Sequence, residues 1–121
     1  MAVEVEYTDE FGEWWDGLDE FEQVSVKAVV RVLEVRGVNL GSPYSSGISS
    51  SKHNHMRELR IQHKGSPYRV LYAFDPKRNA ILLIGGNKKG NDAWYEEYVP
   101  IADRLYDEHL KELDAESKKL R

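Results

Sequence analysis

The alternation of apolar and polar residues changes period along this chain, and each change marks an element. Val3, Val5 and Tyr7 alternate with Glu4, Glu6 and Thr8, the period of a half-buried strand. Thr8 or Asp9 can cap a short helix carrying Phe11, Trp14, Trp15 and Leu18, and Gly17 ends or bends it. From about Asp19 to Val35, the residues Phe21, Val24, Ala28, Val32 and Val35 recur at helical steps. That spacing predicts a second helix with this set as its apolar face, closed by Gly37. The two helices make a hairpin with an acidic outer face.

Residues 41–55 interrupt the periodicity. The stretch GSPYSSGISSSKHN holds six serines, two glycines and a proline, and it predicts a mobile loop anchored by Tyr44 and Ile48. Three strands follow. Met56 to Gln62 turns Leu59 and Ile61 to one face and Glu58, Arg60 and Gln62 to the other. Tyr68 to Phe74 turns Tyr68, Val70, Tyr72 and Phe74 one way and Arg69, Leu71 and Ala73 the other. Ala80 to Ile84 is apolar on both faces and suits a central strand. Gly85 and Gly86 then lead into Asn87, Lys88 and Lys89. In the last third, Trp94, Tyr98, Leu105, His109 and Leu113 fall on one stripe, with Pro100 predicted to start the longer segment after a short first turn. Residues 114–121 read as a frayed charged tail. The order β, α, α, β, β, β, α predicts one α+β domain over residues 1–121. Its antiparallel sheet has about four strands, with helices packed on one side and one end.

Composition then narrows the chemistry. The chain has no cysteine, which excludes thiolate nucleophiles, disulfides and cysteine-bound zinc. The segment Met1 to Phe11 carries four carboxylates and no apolar core, so it is not expected to act as a signal peptide. The longest apolar run, Ala80 to Ile84, is too short to span a bilayer, and a cytoplasmic protein is expected. The net charge of −4 is unevenly spread. Residues 1–51 hold three basic and ten acidic side chains, 52–90 nine and two, and 91–121 five and nine. A basic block therefore lies between acidic ones, and a local field of that kind attracts a polyanion whatever the overall charge. The same block is also compatible with a basic sheet paired to acidic helices.

No metal, P-loop or dinucleotide motif is present, and neither a metal nor another cofactor is expected. The sheet instead offers cations at strand ends. Arg60 and Arg69 lie opposite the core positions of their strands, and Lys88 and Lys89 follow the third strand. RNA cleavage without metal needs a group to take the 2′-OH proton, cations for the charge on the phosphate oxygens, and an acid for the leaving 5′ oxygen. Arginine suits the second role, being always charged and forked. Lysine, histidine or tyrosine can serve the proton steps. Each residue also has a purely structural reading. Arg60 and Arg69 can pair with Glu58 or Asp75, the lysines can be solvated turn residues, Tyr95 can be a rim aromatic, and His63 a loop residue. Arg69 points away from the core side of its strand, so its replacement is expected to spare the fold.

The segment MRELRIQHKGSPYRVLYAFDPKRNAILLIGGNKKGNDAWYEEYVPIADRLYDEHL, Met56 to Leu110, resembles the RelE/ParE toxin superfamily, with its ELR, YRVLY and ILLIGG–KK order matching that family's sheet. The opening VEYTDEFGEWWDGLDE is similar to its HigB-like, phage-derived branch. The resemblance implies a RelE-like fold. It also implies the toxin of a type II toxin–antitoxin pair, a ribosome-dependent mRNA endoribonuclease that inhibits translation. It implies a cognate helix-turn-helix antitoxin, with the ribosome and mRNA as further partners and no membrane. Carried over by position, it places Arg60, Arg69, Lys89 and Tyr95 in catalytic roles, with Arg57, His63, Lys64 and Lys88 as RNA-binding residues. Lysine stands at position 89 where RelE-like members often have arginine. The HigB histidines have no secure match, although His53, His55 or His63 can stand in. Within the same fold the alternative is a ParE-type toxin that binds DNA gyrase without nuclease activity. The basic set with Tyr95 favours the nuclease. An antitoxin is expected on the basic face, with the helical hairpin and its Trp14 and Trp15 as the other surface.

Overall fold

Side-chain caps start the first two helices in the computed structural model, which describes residues 2–119. Strand β1 spans Val5–Tyr7, helix α1 Asp9–Asp16 and helix α2 Glu20–Arg36, followed by a 3₁₀ turn at Gly37–Asn39. Strands β2 (Ser45–Gly47), β3 (Arg57–His63), β4 (Ser66–Phe74) and β5 (Ala80–Asn87) precede helix α3 (Trp94–Lys119). Thr8 caps α1: its Oγ1 accepts the Phe11 N–H at 3.0 Å and donates to the Leu83 carbonyl at 2.7 Å, so one side chain starts the helix and ties it to β5. Asp19 and Glu22 form a reciprocal capping box at the start of α2.

The sheet order is β1-β5-β4-β3-β2, with β1 parallel to β5 and the other pairs antiparallel. There are five strands instead of about four, and helices cover both faces instead of one side and an end. Leu59, Ile61, Val70, Tyr72 and Leu82 meet Phe11, Val26 and Leu33 of the hairpin. Met56, Leu71, Ala73, Ile81 and Leu83 meet Trp94, Val99, Ala102 and Leu105 of α3. The reason is in β4 and β5, whose successive residues are apolar whichever way they point, so a single cover would leave half of them wet. A bulge between Leu71 and Tyr72 shifts the β4–β5 register, pairing Leu71 with Ile84 and Tyr72 with Leu82. It turns both Leu83 and Ile84 toward the α3 core.

Four expectations change on folding. Val26 and Leu33 are the fully buried residues of α2, while Phe21, Val24 and Val35 are 66, 63 and 69% exposed. The helix carries two apolar stripes, and periodicity fixes the period without choosing which stripe meets the sheet. Pro100 lies inside α3 instead of starting it. It falls nearly two turns from the helix start and is exposed, and the carbonyl it leaves without an intrahelical partner belongs to the exposed Glu96. The serine-rich stretch is structured in part. Ser45–Gly47 pairs with Arg57–Leu59, and the Ser45 hydroxyl is buried 2.6 Å from the Tyr72 hydroxyl. Ser51 and the Lys52 backbone bond the Asp103 carboxylate of α3, and Lys52 and His53 both reach Asp107. Residues 114–119 continue the helix; residues 120 and 121 of the expected tail lie outside the described residues.

Gly85 and Gly86 belong to β5, and each makes room for a tryptophan. A Cβ on Gly85 would lie 2.3 Å from the Trp14 ring of α1, and one on Gly86 2.6 Å from Trp94 Nε1 of α3. Both distances are below any tolerable contact, so alanine at either position must displace an indole from the sheet. Gly85→Ala and Gly86→Ala are each expected to destabilise the fold by about 1–3 kcal/mol, the usual cost of overpacking. Gly41→Ala, where nothing lies within 4 Å, is expected to leave stability unchanged. Urea unfolding of the three variants checks this.

Candidate functional site

The contact between Trp94 and Gly86 fixes where α3 begins, and the next residue, Tyr95, is thereby turned over the sheet face that carries Glu58 and Arg69. The Tyr95 hydroxyl donates to Glu58 Oε1 at 2.6 Å. Arg69 Nε lies 3.3 Å from the same oxygen, as an ion pair outside hydrogen-bond alignment, while its Nη1 donates to its neighbour's carbonyl, on Tyr68, at 3.0 Å. Ser46 of β2 donates to Glu58 Oε2 at 2.7 Å. Lys88, just past β5, places its ammonium 4.8 Å from the centre of the Tyr95 ring and 3.5 Å from its hydroxyl. Arg60 pairs in register with Arg69 across β3 and β4, is itself exposed, and joins Arg69 in lining a groove of about 440 Å³ with Pro43 and Tyr44. Lys89 is exposed at the turn before α3.

Four of the eight residues expected from the sequence therefore share one region, Arg60, Arg69, Lys88 and Tyr95, and Lys89 is exposed one residue past Lys88. The other three face the hairpin side, because strand alternation turns residues 57, 61 and 63 away from Arg60 and Arg69. Arg57 is held by the Ser45 hydroxyl and the Leu40 carbonyl. His63 meets Ser25 of α2 at 2.7 Å, and Lys64 lies over the Phe21 ring. His53 and His55 sit farther along α3, against Asp107 and Tyr106, about three turns from Tyr95.

Sequence reasoning missed Glu58 as a member of the site and named it only as a possible partner for arginine. The signal was available: residues 52–90 contain two carboxylates among nine cations, and both, Glu58 and Asp75, are buried. A buried carboxylate amid cations must be paired.

Two electrostatic consequences follow. Burial, then the hydrogen bond to Glu58, push the Tyr95 phenol up from its ordinary pKa, with Arg69 opposing weakly. Tyr95 is thus a protonated donor at neutral pH, suited to giving a proton and unsuited to taking one. Glu58 and Arg69 have side chains only 8% exposed. Replacing Arg69 therefore does not spare the fold as its outward direction suggested, because it strands a buried carboxylate. Arg69→Ala is expected to cost about 3 kcal/mol or more of stability, and Arg69→Ala with Glu58→Ala clearly less than the sum of the single changes. A double-mutant cycle by chemical denaturation measures the coupling.

Comparison with known proteins shows the family and the fold. Residues 13–107 match the family model of Gp49-like phage-derived proteins. The chain is 41% identical to the candidate toxin HigB2 of Mycobacterium tuberculosis over 110 residues, 89% of this chain and 55% of that protein; it thus spans about half the length of this relative. It is 41% identical to HigB3 of the same organism over 92 residues, 75% of this chain and 79% of that one. Two solved structures share the fold at low identity. An arginine-substituted RelE toxin of Escherichia coli in the free state superposes with a TM-score of 0.56 at 12% identity, over 79% of this chain and 94% of that one. RelE in the RelE–RelB complex of Pyrococcus horikoshii gives 0.54 at 15%, over 75% and 99%.

Proposed function

This chain belongs to the Gp49-like family of phage-derived proteins, and from that premise we propose that it is the toxin of a type II toxin–antitoxin pair, an mRNA endoribonuclease acting on the ribosome in the cytoplasm. The observation that carries the reading is the cluster in which Tyr95, Arg69 and Lys88 converge around Glu58, beside the exposed cation Arg60, with Lys89 exposed next to Lys88 in sequence. Its chemistry fits attack of a ribose 2′-oxygen on the adjacent phosphorus, with the 2′-OH proton passing to water, which breaks the bond to the 5′ oxygen and leaves a cyclic phosphate and, once that oxygen is protonated, a 5′-hydroxyl. Arg60, Lys89 and the rim of Arg69 stabilise charge on the phosphate oxygens. Tyr95 is placed to protonate the leaving oxygen. Glu58 holds Tyr95 and Arg69 in position. No metal or cofactor enters these steps. The relationship to HigB2 and HigB3 supports the toxin assignment. That a RelE relative was solved in complex with RelB supports a protein antitoxin here, of helix-turn-helix type in the HigB branch. No helix among the described residues is long and apolar enough to cross a membrane.

Expression of the chain alone is expected to arrest growth, with translated messages cut within codons and free RNA cut poorly. Arg60→Ala and Lys89→Ala change exposed residues and are expected to stay folded while lowering cleavage about a hundredfold, as loss of a contact to a transition-state phosphate does at roughly 3 kcal/mol. Tyr95→Phe keeps the ring under Lys88 and is expected to lose cleavage as well. Primer extension on translated mRNA, with circular dichroism for folding, reads all three. Arrested cells with intact mRNA and broken DNA would establish the gyrase-directed alternative instead.

A further inference from the structure

Helix α2 leaves a second apolar stripe outside the core, touched only at Phe21 by Lys64 among the contacts described. Phe21, Val24 and Val35 are each exposed by more than 60%, Ala28 is exposed beside them, and Val38 continues the line past the helix end at 63%. Phe21, Ala28 and Val35 recur every seven residues, with Val24 between the first two and the exposed Arg31 at the matching place between the last two, the spacing of a paired helix with one cation in its seam. A contiguous patch of this kind on a surface helix marks an interaction site.

We propose that this stripe pairs with the same stripe of a second copy, the two α2 helices running antiparallel about a two-fold axis through Ala28. The pattern is self-complementary about that residue, as an interface between identical surfaces requires. Phe21 falls opposite the partner copy's Val35, and Val24 level with the partner copy's Val32, whose side chain is half-buried against its own core and offers only its outer edge. Ala28 meets itself, and its small side chain lets the axes approach to the close end of helix packing distances, about 8 Å. Charge also selects this helix. In α2 three carboxylates, Glu20, Glu22 and Glu34, are balanced by Lys27, Arg31 and Arg36. By contrast α1 carries four carboxylates and no cation, and α3 eight against four. A copy of this acidic chain therefore approaches another with least repulsion along α2. The stripe faces away from the sheet surface bearing Glu58 and Arg69, so both candidate sites of the dimer stay open. One helix pair buries less than the roughly 800 Å² per partner of a standard interface, so the dimer is a weak one, with a dissociation constant on the order of micromolar.

The absence of cysteine from the chain makes the pairing directly testable in the full-length protein. Ala28→Cys is expected to form a disulfide-linked dimer under mild oxidation. Phe21→Cys is expected to cross-link with Val35→Cys when the two are mixed, and neither with itself. Arg104→Cys, exposed on α3, serves as the collision control and is expected to stay monomeric. Sedimentation of the unaltered chain is expected to show a concentration-dependent dimer that Val24→Asp abolishes without changing the thermal melt. A chain that remains monomeric well above micromolar concentration overturns the proposal. So does cross-linking of Phe21→Cys to itself, or of Arg104→Cys as fast as Ala28→Cys. Either cross-link result would mean parallel or random contact.

Discussion

The arrangement rests on two tryptophans gripping adjacent glycines of one strand from opposite sides. Trp14 lies against Gly85 and Trp94 against Gly86. Glycine weakens a strand interior through entropy and missing side-chain contacts, and here the two indoles fill the space that side chains would take. The first grip seats the helical hairpin on one face of the sheet. The second sets the start of α3 on the other, and Tyr95 follows Trp94 directly. A displacement of Trp94 would therefore move the Tyr95 hydroxyl away from Glu58 and loosen the ion pair beneath it.

Burial of two carboxylates organises the electrostatics of the basic block. Glu58 fastens Tyr95, Arg69 and Ser46 at one end of α3. Asp75 does the same at the other end: it accepts the Asn79 backbone N–H at 2.9 Å and meets His109 at 2.8 Å. Both are spent inside the protein. The charge left at the surface of the groove is cationic, from Arg60, in a chain whose net charge is −4. This separation reconciles an acidic protein with a polyanionic ligand, since short-range fields and not the net charge govern such contacts.

The residues of the site arrive from four elements that are distant in sequence: Ser46 from β2, Glu58 from β3, Arg69 from β4 and Tyr95 from α3. Each is held by a different local device, respectively a short edge strand, strand alternation, register pairing with β5, and a helix start set by packing. The cluster is thus a property of the sheet's order, and a loss at any of these devices would disperse it without altering the cations themselves.

Local periodicity by itself determined most of the elements. Thr8 was legible as a candidate helix cap and Asp19 as the start of the second helix, β3 and β4 as alternating strands, and β5 as a strand buried on both faces. The same alternation correctly put Arg60 and Arg69 on one face, because side-chain direction in a strand follows from position alone. The tertiary structure decided what periodicity cannot carry. It chose between the two apolar stripes of α2, since a helix repeat fixes spacing and not phase. It turned the serine-rich stretch into an edge strand and a clasp on α3, because hydroxyls become structural only when distant partners such as Tyr72 and Asp103 arrive. It placed Arg57, His63 and Lys64 on the hairpin side despite their charge. It also brought Glu58 beneath Tyr95 from thirty-seven residues away, a pairing set by how α3 packs across the sheet and by nothing in either residue's neighbourhood.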